Sequence, residues 1–221
     1  MVKATTRRKT RTNTRPTDVL KRDILSAALT VFARDGYDGA SLMDIAAMAD
    51  TGHPLLLYHF GNKEALWRQV MAHIFDELKS NYSAVVDLSR DLSGVDGLKM
   101  FIRAFVQFSA KHPERVTLVL AEMRADSERL EWLTTEYMLT LHAQLNALFD
   151  RVEAEGRLKP IPRPNLVHIL IGSVSTLFMA EPLVRRIYGL EAHSSEAVSA
   201  HADWIIEMLT SGLITAEPLK S

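Results

Sequence analysis

The sequence predicts an all-α fold, and three observations carry that prediction. Straight-chain and aliphatic helix formers dominate, while the 10 glycines and 8 prolines mostly fall between periodic stretches. Apolar residues recur every three or four positions, as in Leu20, Ile24, Ala27, Ala28, Val31 and Phe32, the stripe of an amphipathic helix. No segment keeps the strict alternation of a half-buried strand. With 221 residues, 47% of them hydrophobic, the chain can bury a sizeable core. It is long enough for one large domain or a small module joined to a larger one.

Residues 1–16 lack apolar periodicity and read as a disordered basic arm. A first helix is expected over 17–34, with Gly36 as a left-handed cap. Ser41 then caps a two-turn helix whose apolar face is Leu42, Ile45, Ala46 and Ala49, with Asp44 in capping-box position. Asp50-Thr51-Gly52 makes a tight turn. A short helix follows from Pro54, a residue suited to a first helical turn, and ends near Phe60. Gly61-Asn62 interrupts, and Asn62 caps a longer helix over 63–86. The stretch 88–97 reads as a loop, with Gly94-Val95-Asp96-Gly97 as a turn. Helices are expected over 97–111, 114–125 and 127–155. Three prolines within 156–164 mark a linker. An apolar helix over 165–180 bends at Pro182 and continues to Tyr188. Ser194 or Ser195 caps a last helix, stopped by Gly212.

Charge and composition narrow the function classes. Net charge is −1, but it is unevenly spread: residues 1–80 hold 12 basic and 9 acidic groups, and the rest 14 and 18. Six of the basic groups (Lys3, Arg7, Arg8, Lys9, Arg11 and Arg15) crowd the first 15 residues without an acidic partner. A basic front and an acidic body point to a polyanion met by the front alone. The absence of cysteine excludes a disulfide framework and thiolate metal sites, and it fits a reducing cytoplasm, where the chain is expected. The basic N-terminus lacks the apolar region of a secretory signal. The longest apolar run, 166–180, is interrupted by His168, Gly172, Ser173 and Ser175 and is shorter than the ~20 residues of a membrane span. No membrane association is expected.

The two short helices between Ser41 and Phe60 have a specific physical use. In a helix-turn-helix, the first helix braces across the DNA backbone and the second offers its N-terminal residues to the major groove. Ile45, Ala46 and Ala49 are small and apolar enough for the steep crossing. His53, Leu55 and Leu56 are available to the groove.

At these residues the chain resembles the tetracycline-repressor (TetR) family of bacterial regulators. The matching residues are Ile24-Leu25-Ser26-Ala27-Ala28, Phe32, Gly36-Tyr37-Asp38-Gly39-Ala40-Ser41, Ile45-Ala46, Ala49, and Tyr58-His59-Phe60-Gly61-Asn62-Lys63-Glu64-Ala65-Leu66. The resemblance implies that Tyr58 and His59, at the end of the reading helix, approach phosphates, as does Lys63 at the start of the next. It implies a backbone contact at Ser41, and base contacts from His53, Pro54 and Leu55. For Lys63 an independent argument agrees: an ammonium at a helix N-terminus suits a phosphate. The chain departs from the family pattern at Asp50, where glycine is usual, at Thr51, and at Leu57, where an aromatic is common.

The resemblance further implies three parts: the arm (1–16), a helix-turn-helix domain (17–64), and a helical effector-binding and dimerisation domain (65–221). Small residues within 165–180 permit close helix approach. Ala197, Val198, His201, Trp204, Ile205, Met208 and Leu209 supply a second stripe, so two helices from each chain would close a four-helix interface of a homodimer. Bulky candidates for an effector pocket are Phe105, Phe108, Met123, Trp132, Tyr137, His142 and Phe178, with Glu122, Arg103, Gln107 and His168 as polar anchors. No cofactor is expected beyond an unidentified small-molecule effector. Neither a metal-binding histidine cluster nor a catalytic motif is visible. The expected function is a ligand-released repressor binding a palindromic double-stranded operator as a homodimer. Two rivals are a DNA-binding dimer controlled by a protein partner, which a collapsed core would favour, and a helical enzyme.

Overall fold

The computed structural model describes residues 17–215. The basic arm at 1–16 lies outside the described residues. Helices follow one another as α1 (Thr17–Gly39), α2 (Leu42–Met48), α3 (His53–Phe60), α4 (Lys63–Leu88), α5 (Gly94–Lys111), α6 (Pro113–Glu122), α7 (Glu128–Leu133), a π-helical turn (Thr134–Met138), α8 (Leu139–Ala154), α9 (Arg163–Met179), α10 (Glu181–Tyr188) and α11 (Ser195–Leu213). The expected all-α architecture is present. The chain divides into two compact units, Met1–Val70 and Met71–Ser221, so the division falls within α4, six residues beyond the sequence-derived boundary at 64/65.

In the first unit, α1 buries Leu20, Ile24, Ala27, Ala28, Val31 and Phe32. They share a core with Ile45 and Ala46 of α2, Leu56 and Phe60 of α3, and Leu66 and Trp67 of α4. The helical stripe read from the sequence is therefore the packed face.

The second unit is centred on α5, α8, α9 and α11. Phe101, Ile102, Leu145, Phe149, Leu170, Val174, Phe178 and Ile205 meet in one cluster. An isolated antiparallel bridge joins Leu158 to Ile214. Around it, Lys159 N–H donates to the Leu213 carbonyl at 2.9 Å, and Thr215 N–H to that of Arg157 at 2.9 Å. The expected linker at 156–164 is thus a fastened strap.

Several boundaries differ from expectation, each for a physical reason. Gly36 is not a left-handed cap: at φ 72° and ψ 174° it kinks α1, which resumes to Gly39. The supposed turn at Gly94–Gly97 is the first turn of α5. Ser93 Oγ accepts from Asp96 N–H at 3.1 Å, and a Cβ on Gly94 would stand 2.7 Å from the backbone of Arg151. These glycines mark close helix packing rather than a bend. The expected helix at 127–155 is interrupted by the π turn, and Pro164 belongs to the first turn of α9. Gly212 does not stop α11, which runs on to Leu213.

Candidate nucleic-acid interface and interior cavity

The helix-turn-helix forms through a sequence of local devices. Ser41 caps α2: its Oγ accepts from Met43 N–H at 3.2 Å and Asp44 N–H at 3.5 Å. The helix ends in a Schellman arrangement, with Thr51 N–H donating to the Ala46 carbonyl at 2.9 Å and Asp50 N–H to that of Ala47 at 3.2 Å. Asp50 takes the left-handed position at φ 49°, a role its short side chain tolerates in place of glycine. Pro54 lies in the first turn of α3.

At the far end, Gly61 adopts φ 79° and ψ −72°, and Asn62 N–H donates to the Phe60 carbonyl at 3.0 Å. This is a γ-turn with positive φ, open at little cost only to glycine. Asn62 Oδ1 then accepts from Ala65 N–H at 2.8 Å and caps α4.

These devices sort the candidate DNA contacts. Pro54 is exposed, and Tyr58 is 82% exposed, far from the burial of an aromatic core residue. Ser41, His53, Leu55, His59 and Lys63 are half-exposed. The rings of Tyr58 and His59 meet edge-on, 5.1 Å between centroids. Leu56, available to the groove on the sequence reading, is instead fully buried and packs the core, as Phe60 does. Lys63 also serves the fold, since Nζ donates to the Asp38 carbonyl at 3.1 Å and sits 4.9 Å from the Tyr37 ring centroid. It fastens the bend before α2 while its remaining donors stay available.

The second unit holds an apolar cavity, part of it open to solvent. Its walls are Ile74, Phe75, Leu78 and Tyr82 from α4, Phe105 and Phe108 from α5, Arg115, Val116, Val119, Leu120 and Met123 from α6 and its end, Met138 from the π turn, Leu141, His142 and Leu145 from α8, and Ile171 from α9. Burial pushes the Tyr82 hydroxyl up from its usual range. Burial, aided by the nearby His168, holds His142 below the ordinary histidine value.

Of the expected pocket residues, Phe105, Phe108, Met123 and His142 line this space. The others do not. Glu122 is buried in an ion pair, its Oε1 2.9 Å from Arg129 Nε and 3.2 Å from Ser127 Oγ, and it fixes the α6–α7 turn. Phe178 is fully packed in the central core. Trp132 meets Tyr137 edge-on, and Tyr137 stacks on the outer side of Phe75 at 4.6 Å. His168 is exposed, its ring 6.3 Å from that of His142. Arg103 and Gln107 line a separate polar cleft, where Arg103 is paired with Asp203 at 2.5 Å.

Sequence reasoning missed Tyr82 and Arg115. A signal for the second was present: Arg115 lies in helical register with Val119 and Met123, a basic residue on an apolar stripe.

Comparison with known proteins decides the family. The model of "Bacterial regulatory proteins, tetR family" matches residues 24–70, and that of "Tetracyclin repressor-like, C-terminal domain" matches 95–209. The chain belongs to the TetR family. It is a DNA-binding transcriptional regulator rather than an enzyme, as the relatives of this family are. Among TetR relatives, the HTH-type transcriptional regulator RutR of Escherichia coli K12 is 30% identical over 169 residues, covering 76% of this chain and 78% of RutR. The HTH-type transcriptional repressor NicS of Pseudomonas putida is 30% identical over 116 residues, covering 52% and 53%. The fold matches that of the ketosteroid transcriptional regulator KstR2 of Mycobacterium tuberculosis, with a TM-score of 0.69 at 17% identity, covering 88% of this chain and 95% of that one. No single helix among the described residues is long and apolar enough to cross a membrane.

Proposed function

We propose that this TetR-family chain is a repressor that grips a palindromic double-stranded operator as a homodimer and lets go when a small molecule fills the cavity of its second unit. The observation that carries this reading is the pairing of an outward-facing reading helix with an apolar cavity walled in part by α4. Tyr58 and Pro54 stand free of the core, beside half-exposed Ser41, His53, Leu55, His59 and Lys63. Backbone contacts fall to Ser41, Tyr58, His59 and Lys63, and base-edge contacts to His53, Pro54 and Leu55. Leu55 suits a thymine methyl.

A two-fold operator requires a two-fold protein, and the surface supports one. On α9, Ile169 is exposed beside Gly172 and Thr176. On α11, Trp204 and Met208 are 67% and 59% exposed while Ile205 and Leu209 face inward. A helix whose apolar surface extends beyond its buried face has apolar area to spare for a partner. Cytoplasmic operation follows from the operator as partner.

Control runs through α4. It begins at Lys63 and gives Ile74, Phe75, Leu78 and Tyr82 to the cavity wall, so a ligand that fits only one position of α4 shifts DNA affinity. The open cavity favours this over control by a protein partner.

The test is a titration of duplex operator, selected from random DNA, with the His59→Ala/Lys63→Ala double variant. The expected result is a loss of affinity of about tenfold or more and a salt slope lower by about one. Unchanged affinity at intact thermal stability would reject the interface.

A further inference from the structure

The character of the cavity narrows the effector. Among the described residues that line it, Arg115 carries the one formal charge, and the walls are otherwise apolar apart from Tyr82 and His142. Its side chain is 11% exposed. Nη1 lies against Glu77 Oε2 as an ion pair, and Nε stands 3.7 Å from Glu114 Oε1. Both nitrogens are buried. Glu77 and Glu114 are each 38% exposed, so they approach from solvent rather than from within the cavity.

A guanidinium in such a place is always charged and offers a planar fork that matches a carboxylate. A carboxylate is the strongest acceptor for such a fork, so a ligand that brings one to it is favoured over one that does not. A cationic ligand would meet a buried like charge. A neutral apolar one would leave the fork as it is. His142, held toward its neutral form, offers a hydrogen bond without adding charge. The aromatic rings of Phe75, Tyr82, Phe105 and Phe108 take the rest of the molecule.

We infer that the effector is an apolar monocarboxylic acid, its carboxylate held by Arg115 in exchange for Glu77 and its hydrocarbon or aryl body lying among these rings. The inference rests on the reading of this cavity as the effector site. It also makes Glu77 an internal competitor: while the cavity is empty its carboxylate covers the guanidinium, and an incoming acid displaces it.

The experiment is calorimetric titration of the full chain with 4-phenylbutanoate and with decanoate, each beside its primary amide. Both acids are expected to bind about tenfold or more tighter than their amides. In Arg115→Gln the acid-to-amide ratio falls to near one. In Glu77→Gln, which removes the competitor, the ratio rises above that of the unaltered chain. Equal binding of acid and amide by the unaltered chain overturns the carboxylate assignment and leaves the cavity as the effector site. Heat from neither acid nor amide overturns the cavity reading itself. Should Arg115→Gln fail to fold, Glu77→Gln decides alone, and a ratio that stays level or falls rejects the exchange. The comparison of decanoate with 4-phenylbutanoate separates an alkyl from an aryl body.

Discussion

Single residues fix the reading helix against its surroundings, and Gly61 shows how. Its γ-turn conformation is closed to side chains with a Cβ, and it sets where α3 ends and α4 begins. Gly61→Ala is expected to destabilise the first unit by about 1–3 kcal/mol and to weaken operator binding. Chemical denaturation followed by far-ultraviolet dichroism measures the first effect. Asp50 shows that a family pattern can be departed from without loss of geometry, since the left-handed position is filled all the same. At this scale the exposed positions of the helix-turn-helix were legible, because the motif imposes spacing on Ser41, Tyr58, His59 and Lys63, which the structure leaves exposed or half-exposed. The cavity residues were legible only in part. Phe178 and Phe105 are the same residue type on apolar helix faces, yet one is sealed in the core and the other looks into open space. Burial of that kind depends on how helices meet, which a periodic pattern does not encode. Glu122 reads as an anchor because an acid at the end of an apolar run invites it; its partner Arg129 lies on the next helix.

Among elements, α5 and α8 depend on an approach that only a missing side chain allows. Gly94 lies so close to α8 that an added Cβ would meet Arg151 C and Val152 N at 2.7 Å. Backbone cannot step aside as a flexible side chain does. Gly94→Ala is therefore expected to cost about 1–3 kcal/mol, read as a lowered urea midpoint with an unchanged slope. The same contact explains why spacing alone misplaces the start of α5: two glycines around an aspartate look like a turn until the neighbouring helix is known. The π turn was equally hidden. Residues 134–138 continue the helical stripe, and the extra residue per turn rotates Met138 into the cavity while Tyr137 faces Phe75 from the other side. Helix identity and order, by contrast, followed from spacing and caps.

For the whole molecule, the proposed dimer makes a direct prediction. Trp204→Asp places a charge where two copies would meet. It is expected to raise the dimer dissociation constant roughly thirtyfold or more, the equivalent of about 2 kcal/mol, as sedimentation velocity would register. Operator binding should weaken with it. Stability should also depend on pH. Burial holds His112, His142 and His201 below the ordinary histidine value of about 6.5. The unfolded chain therefore binds protons before the folded one does. Stability is full above about pH 6.5 and declines as pH falls below it, toward the depressed folded values. A melting temperature that is lower at about pH 5.5 than at about pH 7.5 is the expected outcome. The clasp between Leu158 and Ile214 has a bearing on biosynthesis. One half of it leaves the ribosome well ahead of the other, with α9, α10 and α11 still to be made. At about 5–20 residues per second, the earlier half waits several seconds for its mate, so the larger unit reaches its finished form only late in translation.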